Sequence, residues 1–181
     1  VTLWVFANDY IPMLDWEAHP IYFVLLFCAI PIIRDAHFYF VHRMLHCRWL
    51  YRQVHQLHHK NMDIGPWSGM SMHPIEHILY FSGALLHWVL LSHPIHVLFH
   101  LQATGLTPAM GHVGYHKWMK KDGTGASIGQ RYFHYLHHRY FECNYGGDGT
   151  VPLDKWFGTW HDGTLESHRE MRGKRKETHG I

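Results

Sequence analysis

Cysteine is scarce in this chain: there are three (Cys28, Cys47 and Cys143) and no Cys-x-x-Cys pair. That excludes a disulfide framework, an iron–sulfur site and a zinc ribbon, and fits a reducing compartment. Basic residues are missing from the start, since no Lys or Arg precedes Arg34 and only Asp9, Asp15 and Glu17 carry charge before it. By the positive-inside rule, the chain beyond its first apolar segment is expected on the cytoplasmic side. Charge is missing again from Ile78 to Gly111, the longest stretch without Asp, Glu, Lys or Arg. The net charge of +2 is too small to suggest nucleic acid as a partner. No basic-then-apolar signal peptide is present, and the chain starts at Val1, so earlier segments are expected to be missing.

What the chain has in excess is histidine, 21 residues in 181. These pull the mean hydropathy down by roughly 0.4, so the value of −0.21 conceals an apolar chain. No Ser/Gly/Pro-rich linker divides it, and residues 1–181 read as a single domain.

Residues 1–19 carry Trp4, Tyr10 and Trp16, side chains suited to a membrane–water interface. Pro20 to Ile33 is almost wholly apolar but spans only ~20 Å of a ~30 Å hydrocarbon core, so a crossing helix has to continue to Val41. Arg34 and Asp35 then lie within it and must face the protein interior, and Asp35, His42 and His46 share one face. The alternative is a buried helix of a soluble protein with an incidental ion pair. Ser92-His93-Pro94 is expected to break the uncharged run into helices over 78–92 and 94–111. Such a hairpin returns the chain to the side it started from. Asn61 to Met72 reads as a loop, Lys117 to Gln130 as a polar loop, Glu142 to Thr164 as irregular cap structure, and Leu165 to Ile181 as a charged tail. Gly123 to Gly129 looks like a dinucleotide fingerprint with one residue too many and no strand before it, and is read as a turn.

Five histidine groups share the spacing i, i+3 or i+4: His42/His46, His55/His58/His59, His73/His77, His112/His116 and His134/His137/His138. On a helix each group projects from one face. Two groups are His-x-x-His-His, a pattern expected by accident only ~0.3 times in a chain so rich in histidine. Neutral imidazole suits zinc, copper and iron, and one ion takes three or four. Leaving out His73/His77, the other groups hold ten histidines, which suits a dinuclear site with four or five nitrogen ligands per ion. His19, His37, His87, His93, His96, His100, His161, His168 and His179 are read as hydrogen-bonded core or surface residues.

Asp35-Ala-His-Phe-Tyr-Phe-Val-His42-Arg-Met-Leu-His46, His55-Gln-Leu-His58-His59, His73-Pro-Ile-Glu76-His77, His112-Val-Gly-Tyr-His116, and His134-Tyr-Leu-His137-His138 followed by Asn144-Tyr-Gly make up a pattern. It resembles the fatty acid hydroxylase/sterol desaturase superfamily of integral-membrane enzymes. The run from Leu50 to Leu79 and the ending through Trp156-Phe-Gly-Thr-Trp160 are most similar to the sterol C5-desaturase-like branch. The resemblance implies an all-α fold, an integral-membrane helical bundle (a four-helix base) with a cytoplasmic histidine-rich helical cap, two iron ions, and O2 as co-substrate. By the family pattern the chain is short at its N-terminus. His73, Glu76, His77 and Asn144 are expected to brace the site, and Asp35 to orient a ligand imidazole through its other nitrogen.

The expected activity is O2-dependent desaturation or hydroxylation of a C–H position in a lipid, of sterol or fatty-acyl type. The substrate cannot reduce O2 fully on its own, and no flavin, nicotinamide or haem motif is present. A separate electron donor, of cytochrome b5 or ferredoxin type, is therefore expected to dock near Lys117, Lys120, Lys121 and Arg139. Zinc is expected to replace iron readily in a purified sample, since both accept imidazole. Two other classes fit less well. A zinc transporter or metal buffer places its site near the bilayer midplane, whereas these clusters fall at helix ends; a bis-histidine haem protein leaves His-x-x-His-His unexplained.

Overall fold

The computed structural model describes residues 1–61, 65–113, 117–119, 125–127, 130–147 and 149–179. After a short helix α1 (Thr2–Ala7), the long helix α2 (Pro20–Leu45) dominates the fold. Pro20 sits in its first turn, where a missing N–H costs nothing. At ~1.5 Å per residue its length is about 39 Å, enough to cross a bilayer. The helix runs one turn beyond Val41 and so carries His42, with His46 at its C-terminal end, as the shared face of Asp35, His42 and His46 requires. Among the described residues it is the one helix long and apolar enough to span a membrane, and only 17% of its most apolar window is buried. The core helix of a soluble protein is mostly buried, so this exposure goes against that alternative.

Past His46 the chain turns into α3 (Arg48–Leu50), a π-helical turn (Tyr51–His55) and α4 (Gln56–His59). The expected loop before residue 72 contains a 3-10 turn, Pro66–Met70, packed on α6 (Pro94–Gly111). Helix α5 (Pro74–Phe81) begins earlier than the expected residue 78, because His73 caps it by accepting from the Ile75 N–H at 3.2 Å. It then tightens into a 3-10 segment, Ser82–Trp88, where the Ser82 hydroxyl donates to the Leu79 carbonyl at 2.7 Å. The break expected at 92–94 is present, and Pro94 opens α6.

The remaining elements are a small antiparallel pair, β1 (Lys117–Met119) and β2 (Gly125–Ser127), then α7 (Gln130–Tyr140), α8 (Leu153–Trp156) and α9 (Leu165–His179). The 117–130 segment is thus not wholly loop. A strand does precede the glycine run, but it pairs with the next one as a hairpin and not as a strand–helix–strand unit. Gly123 and Gly129 lie outside the described residues. The charged tail is helical from Leu165 to His179. A compact cluster of Tyr39, Tyr145 and Leu153 fixes the 145–153 segment against α2 one turn before His42.

Candidate metal centre

Nine of the ten histidines expected to act as ligands converge into two adjacent groups. The first holds His42, His46, His55, His59 and His137; the second holds His58, His112, His134 and His138. Within each group one nitrogen per ring lies within 4.8 Å of the others. His116 lies outside the described residues. All of the nine except His46 are buried.

The two His-x-x-His-His motifs do not each build one group. His55 and His59 enter the first group while His58 enters the second; in α7, His134 and His138 enter the second and His137 the first. Helical geometry dictates this division. Residues i and i+4 lie ~40° apart around the axis, whereas i+3 falls on the other side of i, so adjacent histidines splay by ~100°. Each motif therefore serves two centres, and the rings of His59 and His138 meet between them with centroids 4.6 Å apart.

The outer nitrogens of five of the nine rings are held by the scaffold. Nδ1–H of His42 donates to the Tyr145 carbonyl at 2.6 Å, that of His137 to Cys143 at 2.6 Å, that of His112 to Pro108 at 2.7 Å and that of His58 to Ser71 at 3.3 Å. His55 Nδ1 meets Glu76 Oε1 at 2.8 Å. Burial, reinforced for most of them by neighbouring imidazoles, pushes His58, His59, His134 and His137 well below the usual histidine range, His138 to about 2 and His55 to about 3. The rings are neutral at pH 7, and the His55–Glu76 contact joins a neutral imidazole to a carboxyl group rather than an imidazolium to its counter-ion.

This donor set fits metal ions, and hydrogen-bond accounting shows why. A neutral ring that donates from Nδ1 has a bare lone pair at Nε2, and a nitrogen bearing hydrogen cannot accept. Facing Nε2 atoms can bond only as one N–H and one lone pair. In the second group, His112, His134 and His138 form a closed triangle of Nε2 contacts at 3.0–3.2 Å. A triangle always leaves at least one like pair. In the first group the path His42–His55–His59–His137, at 3.1, 3.0 and 3.1 Å, has bare nitrogens at both ends, so alternation fails there too. A cation bound by the lone pairs satisfies every ring in its group at once.

The expected role of Asp35 is corrected. Its carboxylate takes hydrogen bonds from Arg34 at 2.6 Å, from the Thr150 N–H at 2.8 Å and from the Thr150 hydroxyl; it makes none to a histidine among the described residues. Arg34 and Asp35 are neighbours in the sequence, and pairing of charges inside an apolar helix took precedence over reaching an imidazole two turns away. Glu76 makes the contact that Asp35 was expected to make. His73 caps α5, and His77 stacks on Phe81 away from both groups. Asn144 is fully buried and closes a loop, donating to the His161 carbonyl at 2.9 Å and accepting from the His161 N–H at 2.8 Å.

Sequence reading missed Asp154, whose buried carboxylate accepts from the Tyr145 and Gly146 N–H groups at 2.9 and 2.8 Å. It also missed Gly69, where a Cβ would stand 2.2 Å from the Pro108 carbonyl oxygen and 2.8 Å from His112 Nδ1. The carbonyls that orient His42, His58, His112 and His137 leave no side-chain signal at all. Of the histidines set aside as ordinary hydrogen-bonded residues, none of those described joins either group; His87 bonds His100 and Ser92, His96 bonds the Phe23 carbonyl, and His161 bonds His168. Of the basic residues placed near a donor surface, Arg139 donates to the Tyr135 hydroxyl, while Lys120 and Lys121 lie outside the described residues.

A cavity walled by α2, α5 and α6 opens onto both groups, with His42 and His55 of the first and His58, His112 and His134 of the second in its wall. Away from the histidines, Phe38, Val41, Leu45, Met72 and Pro108 give it an apolar stretch, while Arg34, Asp35, Glu76, Tyr80 and Thr107 bring polar groups into its wall.

The fatty acid hydroxylase family model matches residues 27–159, a stretch that includes every described member of both histidine groups. The chain is 28% identical over 167 residues to methylsterol monooxygenase 1 of Gallus gallus, covering 90% of this chain and 55% of that protein. It is 28% identical over 136 residues to a Delta(7)-sterol 5(6)-desaturase of Candida glabrata, covering 73% and 35%, and 29% identical over 143 residues to methylsterol monooxygenase 2-2 of Arabidopsis thaliana, covering 78% and 52%. The chain thus spans about half or less of the length of these relatives. No solved structure matches it. With its histidine motifs inside the matched span and its relatives among sterol-modifying oxidoreductases, the chain belongs to the fatty acid hydroxylase family, in its sterol desaturase-like branch.

Proposed function

We propose that this chain forms the catalytic part of a membrane-bound di-iron oxidoreductase that uses O2 to desaturate or hydroxylate a C–H position of a sterol or fatty-acyl type lipid. One observation carries the reading: two adjacent all-imidazole groups, each unable to satisfy its own nitrogens, share the wall of one cavity that has an apolar stretch beside them. His42, His46, His55, His59 and His137 hold one iron, and His58, His112, His134 and His138 the other, with His116 as the fifth ligand that the i, i+4 pairing with His112 supplies. Bound iron supplies the O2 activation that side chains alone do not provide.

The chain's own residues do the rest. Carbonyls of Ser71, Pro108, Cys143 and Tyr145, with Glu76, fix the orientations of five of the nine rings, so that their inward lone pairs are aimed before metal arrives. The apolar wall excludes water and holds a hydrocarbon segment against the rings. The exposed Ile21, Val24, Leu25 and Ile32 of α2 face lipid, and the 78–111 hairpin enters the same bilayer, with the histidine groups at its cytoplasmic side. Electrons come from a separate protein of cytochrome b5 or ferredoxin type. A zinc transporter is expected to place its site near the bilayer midplane, whereas these groups form at the ends of α2 and α6.

The test is anaerobic iron loading of the purified chain, with metal quantification and O2 uptake in the presence of a reductant, and lipid analysis of cells with and without the gene. Two irons per chain, reductant-dependent O2 uptake and an altered lipid are expected. One metal or fewer with no O2 uptake overturns it.

A further inference from the structure

The cavity that opens onto the histidines also has a polar patch in its wall. Arg34 and Asp35 line it from α2, Tyr80 from α5 and Thr107 from α6. The guanidinium donates from Nε and Nη2 to Asp35 Oδ1, at 3.3 and 2.6 Å, and from Nη1 to the Thr107 hydroxyl and the Ala103 carbonyl. Four of its five N–H groups are thereby used. The second hydrogen on Nη2 has no partner among the described residues.

Tyr80 donates its hydroxyl hydrogen to the Thr104 carbonyl at 3.1 Å, the carbonyl next to the one that Arg34 contacts. Its oxygen keeps lone pairs free to accept. The Thr107 hydrogen is committed to Ala103 at 2.6 Å, and the oxygens of Asp35 are occupied by Arg34 and Thr150. The patch therefore offers one donor on Arg34 and one acceptor on Tyr80, both in the wall of the same cavity. A group that both accepts and donates through one oxygen complements them, and that is a hydroxyl.

Charge points the same way. The guanidinium is already neutralised by Asp35, and Glu76 lines the same cavity, so a carboxylate entering there would meet two acids and no free cation. Separation from the rings also matters: residues 34 and 42 are two turns apart on α2, roughly 12 Å along its axis.

We infer that Arg34 and Tyr80 form a head-group subsite that selects a neutral, hydroxyl-bearing lipid and sets how far its reacting carbon stands from the histidine groups. This rests on the proposed lipid-oxidising role and adds the part of the lipid that is recognised. The patch binds the alcohol oxygen, and the apolar wall between Phe38 and Leu45 takes the hydrocarbon.

The test is direct binding to the purified full chain in lipid nanodiscs with three probes: a Δ7-sterol with its free hydroxyl, its methyl ether, and its deoxy analogue. The free alcohol is expected to bind about tenfold tighter than the deoxy compound, the value of one charge-assisted hydrogen bond, with the methyl ether between them. Tyr80→Phe should remove the advantage of the alcohol over the ether, and Arg34→Lys, which keeps the charge beside Asp35, the advantage of the ether over the deoxy compound. Neither should change binding of the deoxy sterol. Equal affinity of wild-type protein for all three probes, or equal weakening of all three by the variants, overturns the subsite. Metal content and O2 uptake are measured on the same samples. Alcohol selectivity without O2 uptake would refute the oxidase reading alone, and O2 uptake without selectivity would refute the subsite alone.

Discussion

His42 and His137, from helices distant in the sequence, donate their Nδ1–H groups to carbonyls on either side of a single residue, Asn144: to Tyr145 and Cys143, each at 2.6 Å. Asn144 itself holds a left-handed conformation, φ 51°, and its amide is bonded to His161 in both directions. One loop residue therefore sets the orientation of two rings in the first group.

Asn144→Ala should cost ~2–4 kcal/mol of stability, from lost buried hydrogen bonds plus the left-handed strain of a side chain that cannot bond locally. Asn144→Gly should recover ~1 kcal/mol of that by relieving the strain alone. Metal retained by the first group should fall in both variants. Denaturation midpoints and metal counts measured together check this, and a Gly variant no more stable than the Ala variant would reject the strain component.

Gly69 performs the matching task in the second group. Its missing Cβ lets the Pro66–Met70 turn rest against the hydrogen bond from His112 to Pro108. Gly69→Ala drives a methyl into backbone atoms that cannot swing away, with an expected destabilisation of ~1–3 kcal/mol. Metal should be lost from the second group before the first. Wild-type stability and metal content in Gly69→Ala would show that the turn can shift freely.

Much of the centre was legible because metal-binding histidines must recur at helical spacing, and α2, α4 and α7 display that spacing directly. The division of each His-x-x-His-His motif between two groups follows from the same geometry. What stayed hidden was carried by backbone. A carbonyl that orients a ring belongs to no residue type, so Ser71, Pro108, Cys143 and Tyr145 give no signal. Asp35 misled because its helical face was right while its nearest charge, Arg34, was closer than any imidazole. The 3-10 turns and the small strands depend on tertiary packing that local pattern does not encode.

Separate groups predict separable metals. His59→Ala removes the nitrogen that contacts His46, His55 and His137, and should leave about one metal per chain, held by the second group. His138→Ala should do the converse by opening the triangle with His112 and His134. Equal loss of both metals in both variants would mean that the groups bind as one unit.

Glu76 tests how far aim matters beyond ligation. Its Oε1 meets His55 Nδ1, while Oε2 is buried with no hydrogen-bond partner among the described residues. Glu76→Ala should weaken metal at the first group by ~10–100-fold, the usual effect of removing a carboxylate behind a ligand histidine. Glu76→Gln keeps an oxygen that can accept from Nδ1 and should lose less. Metal affinities from competitive chelation distinguish the two, and equal affinity of the Ala variant and the wild type would assign Glu76 to packing.

His116 provides the sharpest check on the symmetry between the groups. The first draws an i, i+4 pair from α2, an i, i+4 pair from around α4 and a single ring from α7. The second draws an i, i+4 pair from α7 and a single ring from α4, and among the described residues His112 has no partner of the kind that His42 finds in His46. His116 stands at that position in the sequence. If it completes the second group, His116→Ala lowers metal affinity there by roughly the amount that His46→Ala does at the first, and leaves the first unchanged. His116→Ala with wild-type affinity at both groups would leave the second centre with four imidazoles and an open position.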